Sequence, residues 1–210
     1  MLFQPLDAVL ATTAKIQIIR ALMPLESPVT GREAQRLGGV RSTLGAATAL
    51  SELTALGILM RGGSSSTHQY RVNRDHHLEP ALRALFDAEG RRIPTLKTAL
   101  TDALTRAGVL EDIRSAVLFG SQARGDARPD SDLDVLFVTH AADSVADVER
   151  AIIDTSAAIQ IRLGLRLAGI VIPSAQVRER TKQGDPLMEA IRTEGRGLLG
   201  EPFSEVVEKW

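Results

Sequence analysis

The hydrophobic period of this 210-residue chain changes once, near residue 110, and that change limits the folds open to it. Before the change, apolar residues recur at the three- and four-residue spacing of amphipathic helices. Leu6, Val9, Leu10, Ile16, Ile19 and Leu22 form one such stripe, ended by Pro24 and Pro28. Thr30 and Glu33 read as a capping box, in which each side chain satisfies the other's amide, and the short helix it opens closes at Gly38-Gly39. A third helix is expected over about 42–56, with Leu44, Ala47, Leu50, Leu53 and Leu56 on one face and Gly57 as its cap. Two short extended runs, 58–61 and 68–72, flank Gly62-Gly63-Ser64-Ser65-Ser66 and predict a hairpin with a flexible tip. Residues 77–107 return to helical spacing, broken at Gly90 and Pro94. After the change, 113–119, 133–138 and 166–172 read as strands, with helices expected over 143–162 and 174–183. The expectation is a two-domain α+β or α/β chain, with domains over 1–75 and 113–210 joined by a helical connector over 76–112.

Composition narrows the classes of function. Apolar residues make up 44% and charged residues 24%, so a packed globular chain is expected rather than a disordered or fibrous one. Without cysteine there is no disulfide framework, thiolate nucleophile or zinc finger. No apolar run approaches the roughly 18 residues that span a bilayer, and the amino-terminus lacks the basic region and cleavage site of a signal peptide. The expected address is cytoplasmic, with no membrane contact. Seven aromatic residues are too few for a platform that stacks single-stranded nucleic acid. Residues 1–110 carry 13 Lys and Arg against 9 Asp and Glu, while residues 111–210 carry 12 against 17. This division suggests two modules with different partners, although chance could produce a split of this size.

Helix, helix, helix, hairpin within 5–73 resembles a winged helix-turn-helix domain. The resemblance implies duplex-DNA binding. Arg41, Ser42 and Thr43 open the recognition helix, whose amino-terminal residues meet base edges in such docking. Arg61, His68 and Arg71 lie in the hairpin, within reach of backbone phosphate. A module for protein contacts or dimerisation is the alternative.

The second half holds the chemistry. Phe119-Gly120-Ser121-Gln122-Ala123-Arg124-Gly125 follows a strand and should open a helix. Glycine lets the backbone approach a ligand closely, and unpaired amides, the Ser121 hydroxyl and the Arg124 guanidinium all donate to anions. Ser131-Asp132-Leu133-Asp134 enters the next strand, where a period of two puts both carboxylates on one face. Paired carboxylates suit Mg²⁺ bound to nucleotide phosphates, since Mg²⁺ keeps several waters and takes few protein ligands.

At these residues the chain resembles the polymerase-β-like nucleotidyltransferases, and among them the small bacterial minimal nucleotidyltransferases. The match is close over 117–138 and looser beyond. It implies that Gly120, Ser121 and Arg124 hold the triphosphate of an NTP. It also implies that Asp132 and Asp134 hold Mg²⁺ and serve catalysis, so that a nucleoside monophosphate passes to a hydroxyl and pyrophosphate leaves. The acceptor could be a protein side chain, a small molecule or an RNA end. One family feature is absent. The third carboxylate commonly found on the next strand has no counterpart in 166–172, where the equivalent position reads as Gly169. Nucleotide binding therefore follows from the resemblance more directly than turnover does.

A rival reading is a DNA-binding transcriptional regulator, or an antitoxin, whose transferase domain binds nucleotide or a protein partner without efficient turnover. The expected partners are an NTP, duplex DNA, a toxin or modified protein target, and a second copy of the chain. Other signals are weaker. Gly195-Arg196-Gly197-Leu198-Leu199-Gly200 matches a dinucleotide fingerprint, but Glu201-Pro202 follows it instead of a helix. His76, His77 and Glu79 read as a solvated helix start rather than metal ligands, and Asp126 and Asp130 as loop residues, with Asp130 a possible neighbour of metal.

Overall fold

The computed structural model describes residues 5–64 and 67–208. It divides between Gly90 and Arg91 into two compact units, so the stretch 76–112, expected as a connector, is shared between them. Ser65 and Ser66 of the expected hairpin tip lie outside the described residues. Among the described residues no helix is long and apolar enough to cross a membrane.

The first unit runs α1 (Pro5–Val9), α2 (Thr13–Leu22), β1 (Val29–Thr30), α3 (Gly31–Gly38), α4 (Thr43–Ala55), β2 (Leu59–Ser64), β3 (Thr67–Val72) and α5 (Glu79–Gly90). The single helix expected over 6–22 is two. The Thr12 hydroxyl accepts from the Lys15 amide at 3.3 Å, restarting the helix with a local side-chain cap. Thr30 caps α3 by accepting from the Glu33 amide at 3.2 Å, and α3 closes at Gly39 with φ of +66°. The Glu33 carboxylate faces Arg36 at 3.9 Å instead of completing the capping box. In α4 the buried residues are Ala46, Ala49, Leu50 and Leu53, whereas Leu44 is 78% exposed. The expected stripe ran through Ala47, a choice that alanines at both 46 and 47 leave undecided in the sequence. β1, too short to show a period, pairs antiparallel with β3, giving a sheet in the order β1-β3-β2. Ile18, Ile19, Leu22, Leu53, Ile58 and Leu59 fill the core beneath it. Each such side chain contributes roughly 1.5–3 kcal/mol when fully buried.

The second unit runs α6 (Arg92–Arg106), a 3-10 turn (Leu110–Asp112), β4 (Ile113–Leu118), α7 (Gly120–Arg124), β5 (Leu133–Thr139), α8 (Val145–Leu163), β6 (Leu167–Pro173), α9 (Ser174–Lys182), α10 (Pro186–Glu194), β7 (Arg196–Gly200) and α11 (Phe203–Glu208). Pro94 does not break α6. It sits in the first turn, where a missing N–H costs no hydrogen bond. The sheet order is β6-β5-β4-β7, with β5 and β6 parallel and the other pairs antiparallel, so the expected mixed sheet is present. Side-chain alternation along β5 builds two cores. Leu133, Val135 and Phe137 pack with residues of α6 and α8, while Leu136 and Val138 pack with residues of α9, α10 and α11. Asp134 shares the second face, at the end where β5 begins.

The glycine-rich 195–200 stretch is a strand. β7 pairs with β4, matching Ala116 to Leu199 and Leu118 to Arg196. A methyl group on Gly195 would meet the Ile191 carbonyl and, at 2.8 Å, Val117 Cγ1. Gly195, and Gly200, where a Cβ would meet the Arg114 backbone, therefore serve close approach to neighbouring chain, whereas Gly197 faces open space.

Candidate functional site

The site forms where β4 leaves the sheet. Phe119 is extended, its amide donating to the Asp134 carbonyl at 3.0 Å, and Gly120 then adopts φ of +70°. A Cβ at Gly120 would run into Asp134 Oδ2 and lie 3.3 Å from Asp134 Cγ. Only glycine permits this approach of backbone to carboxylate. α7 is a single turn anchored by buried Ala123 and closed at Gly125, whose amide donates to the Ser121 carbonyl at 3.0 Å. The loop back to β5 is folded by Ser131, whose hydroxyl accepts from the Arg128 amide at 2.8 Å. The serine of the Ser-Asp-x-Asp sequence thus shapes the turn that presents the aspartates.

The sequence places Gly120, Ser121, Arg124, Asp132 and Asp134 at one sheet end, and the structure adds two charged side chains. Arg166 forks onto Asp132, with Nε to Oδ1 at 2.6 Å and Nη2 to Oδ2 at 3.0 Å. This hydrogen bonding holds the Asp132 carboxyl below its ordinary value. Asp134 is pushed the other way, by burial first and then by the charge of Asp132, with Arg124 opposing. Glu194 accepts from the Gly120 amide at 3.2 Å and from Arg124 Nη1 at 2.9 and 3.1 Å. Arg124 also meets Asp126 at 3.2 Å, and bonds from both acids raise its pKa. Asp130 is exposed. Glu194 reaches the site only because β7 pairs with β4, a contact with no signal in the sequence. Arg166 stood in view as the first residue of an expected strand, but its partner did not.

The expected place of a third carboxylate needs correction. Gly169 registers with Val135, and a methyl there would lie 2.7 Å from Ile152 Cγ2, beneath α8. The residue beside Asp134 on the site face is Ala168. Among the described residues, no three His, Cys, Asp or Glu side chains gather as a metal cluster. The donor set nevertheless fits a hard divalent cation held by two carboxylates. Asp134 carries the repulsion of Asp132, which a cation would relieve, although Arg166 must then yield an Asp132 oxygen. The His76 and His77 rings lie 4.7 Å apart and tilted by 34°, and His76 Nδ1 accepts from the Leu78 amide at 3.2 Å, as befits a helix start.

In the first unit Arg41 is exposed before α4. Ser42 caps α4, its hydroxyl accepting from the Gly45 amide at 3.0 Å, and Thr43 Oγ1 accepts from Gln35 Nε2 at 3.3 Å. Both hydroxyls thus also have structural work. Arg61 and Arg71 are exposed, but Arg61 registers with Tyr70 and Arg71 with Met60, so they point to opposite faces of the hairpin.

Residues 99–180 match the family model of the nucleotidyltransferase domain. The matched stretch of this nucleotidyltransferase-type domain includes the Gly120 turn, both aspartates and Arg166, while Glu194 lies beyond it. A solved structure described as a toxin-antitoxin with AMP-PNP is 15% identical, with a TM-score of 0.37, covering 54% of this chain and 82% of that chain. No curated protein matches the chain.

Proposed function

We propose that the second unit binds an NTP with Mg²⁺ and transfers its nucleoside monophosphate to a hydroxyl acceptor. The observation that carries this reading is Gly120, whose positive φ seats the Ser121–Arg124 turn directly against paired carboxylates. The Gly120 amide, the Ser121 hydroxyl and Arg124 would receive the triphosphate, and Asp132 and Asp134 would hold the metal. Held by these two carboxylates, Mg²⁺ would supply positive charge against the charge that develops on pyrophosphate. The acceptor oxygen bonds to the α-phosphorus as the bond to the β-phosphate oxygen breaks. The protein's part is positioning and charge neutralisation. β6 offers no acid for the hydroxyl proton, which goes to solvent or to a base on the acceptor.

The first unit is proposed as a winged helix-turn-helix that binds duplex DNA as a homodimer, in a protein proposed to be cytoplasmic, and would link the transferase site to transcription. A second reading is favoured by Ala168 in place of an acid and by the Arg166 fork on Asp132. In that reading the domain binds nucleotide or a protein partner, as a regulator or antitoxin does, with little turnover. General-base catalysis typically contributes about 10²–10⁴-fold, so its absence leaves slow transfer. Incubation with α-³²P-labelled NTPs and Mg²⁺, alone and with cell extract, separates the readings. Label transferred to a protein, RNA or small molecule supports transferase activity. Nucleotide retained without any transfer supports the regulator.

A further inference from the structure

Glu194 occupies the donors that a phosphate would need. Its Oε1 takes the Gly120 amide, and both of its oxygens take Arg124 Nη1. A backbone amide plus a guanidinium is a donor set that serves carboxylate and phosphate alike. We propose that Glu194 is a gate on the nucleotide site: its carboxylate takes the donors that phosphate would take, and nucleotide enters by displacing it. The inference rests on the reading of this site as an NTP site and adds how entry is controlled.

The placement of Glu194 is built into the fold. It ends α10, and the chain turns at once into β7 through Gly195, where Ile191 and Val117 leave no room for a side chain. Pairing of Arg196 with Leu118 then fixes the turn beside the start of α7. The Glu194 side chain is 21% exposed, so rotation toward water is open to it once a stronger anion arrives. With Glu194 and Asp126 both on Arg124, the site's cation already has two carboxylate partners. A triphosphate gains Arg124 only by bearing the repulsion of Glu194 or by moving it. The gate therefore weakens binding of metal-free phosphates more than that of Mg–NTP, whose metal contacts would lie on Asp132 and Asp134.

Glu194→Gln keeps the shape and removes the charge, and Glu194→Asp withdraws the carboxylate by one methylene. Affinity for inorganic tripolyphosphate and for Mg-ATP is measured on the full chain by calorimetry, with melting curves to verify folding. Glu194→Gln should bind tripolyphosphate roughly tenfold more tightly than wild type, the change expected for removing one charged hydrogen-bonded competitor. Glu194→Asp should fall between, and adding Arg124→Ala should erase the gain. Wild type that binds while Glu194→Gln binds equally or more weakly overturns the gate alone. Binding of neither probe by any of these proteins overturns the NTP site and the gate with it. Loss of Mg-ATP binding in Glu194→Gln would make Glu194 part of the nucleotide site, which also contradicts the gate.

Discussion

A methyl group at Gly120 would collide with the Asp134 carboxylate, and φ of +70° penalises any L side chain there as well. Gly120→Ala should therefore lower the stability of the second unit by about 1–3 kcal/mol, seen as a lower urea midpoint, and should impair nucleotide binding with it. Gly169 shows where residue-level reading of sequence stops. The position was legible as lying on the strand after the aspartates, but not its face. A slip of one residue in register moves a side chain from one side of a sheet to the other. Parallel pairing of β5 with β6 puts Ala168, not Gly169, beside Asp134. Gly169→Asp should thus press a carboxylate into Ile152, destabilise the unit and restore nothing. Ala168→Asp should raise transfer of labelled nucleotide above wild type, by up to the 10²–10⁴-fold range of general-base catalysis. Equal activity of the two variants would contradict the assigned face.

Elements with a clear period were legible: β4, β5, α8, β6 and α9 lie within a few residues of their expected bounds. β7 was not, because Gly197 and Gly200 dilute its alternation, and with it went the site contact of Glu194. α10 and α11 are short and follow no long stripe. The entry to α10 is set by Asp185, whose carboxylate accepts from Arg180 at 2.8 Å and from the Leu187 and Met188 amides at 2.8 and 3.3 Å. The hydrogen bond from Arg180, aided by the two amides, lowers its pKa. A carboxyl lowered on folding contributes stability above its unfolded pKa of about 3.9 and loses it as pH falls through the folded value. The melting temperature of wild type should exceed that of Asp185→Ala at neutral pH, with the gap closing in strong acid. A gap independent of pH would exclude the carboxylate charge as its source. In the first unit, buried Glu79 accepts from Arg74 at 2.9 Å and Arg83 at 2.7 Å, while Arg74 also caps the Met23 and Leu25 carbonyls. Glu79→Ala should cost roughly 3 kcal/mol in a urea titration, because two arginines lose their shared counter-ion.

At the scale of the whole molecule the charge count did not mark the division: residues 1–90 carry 9 Lys and Arg against 8 Asp and Glu, and residues 91–210, which include the stretch that matches the nucleotidyltransferase domain model, carry 16 against 18. If the first unit docks α4 in a major groove, Arg41 is its exposed cation at the leading end. Arg41→Ala should weaken duplex binding by the full chain and reduce the slope of log affinity against log salt by about one unit. An unchanged slope would assign the unit to protein contacts instead. Nucleotide binding beside the Gly120 turn is decided by calorimetry of an NTP with and without Mg²⁺, using wild type and Asp132→Asn/Asp134→Asn. Binding to wild type should strengthen markedly with Mg²⁺, and the double variant should lose that metal dependence. Equal affinity with and without Mg²⁺, or a double variant that keeps the metal dependence, would contradict that reading of the site.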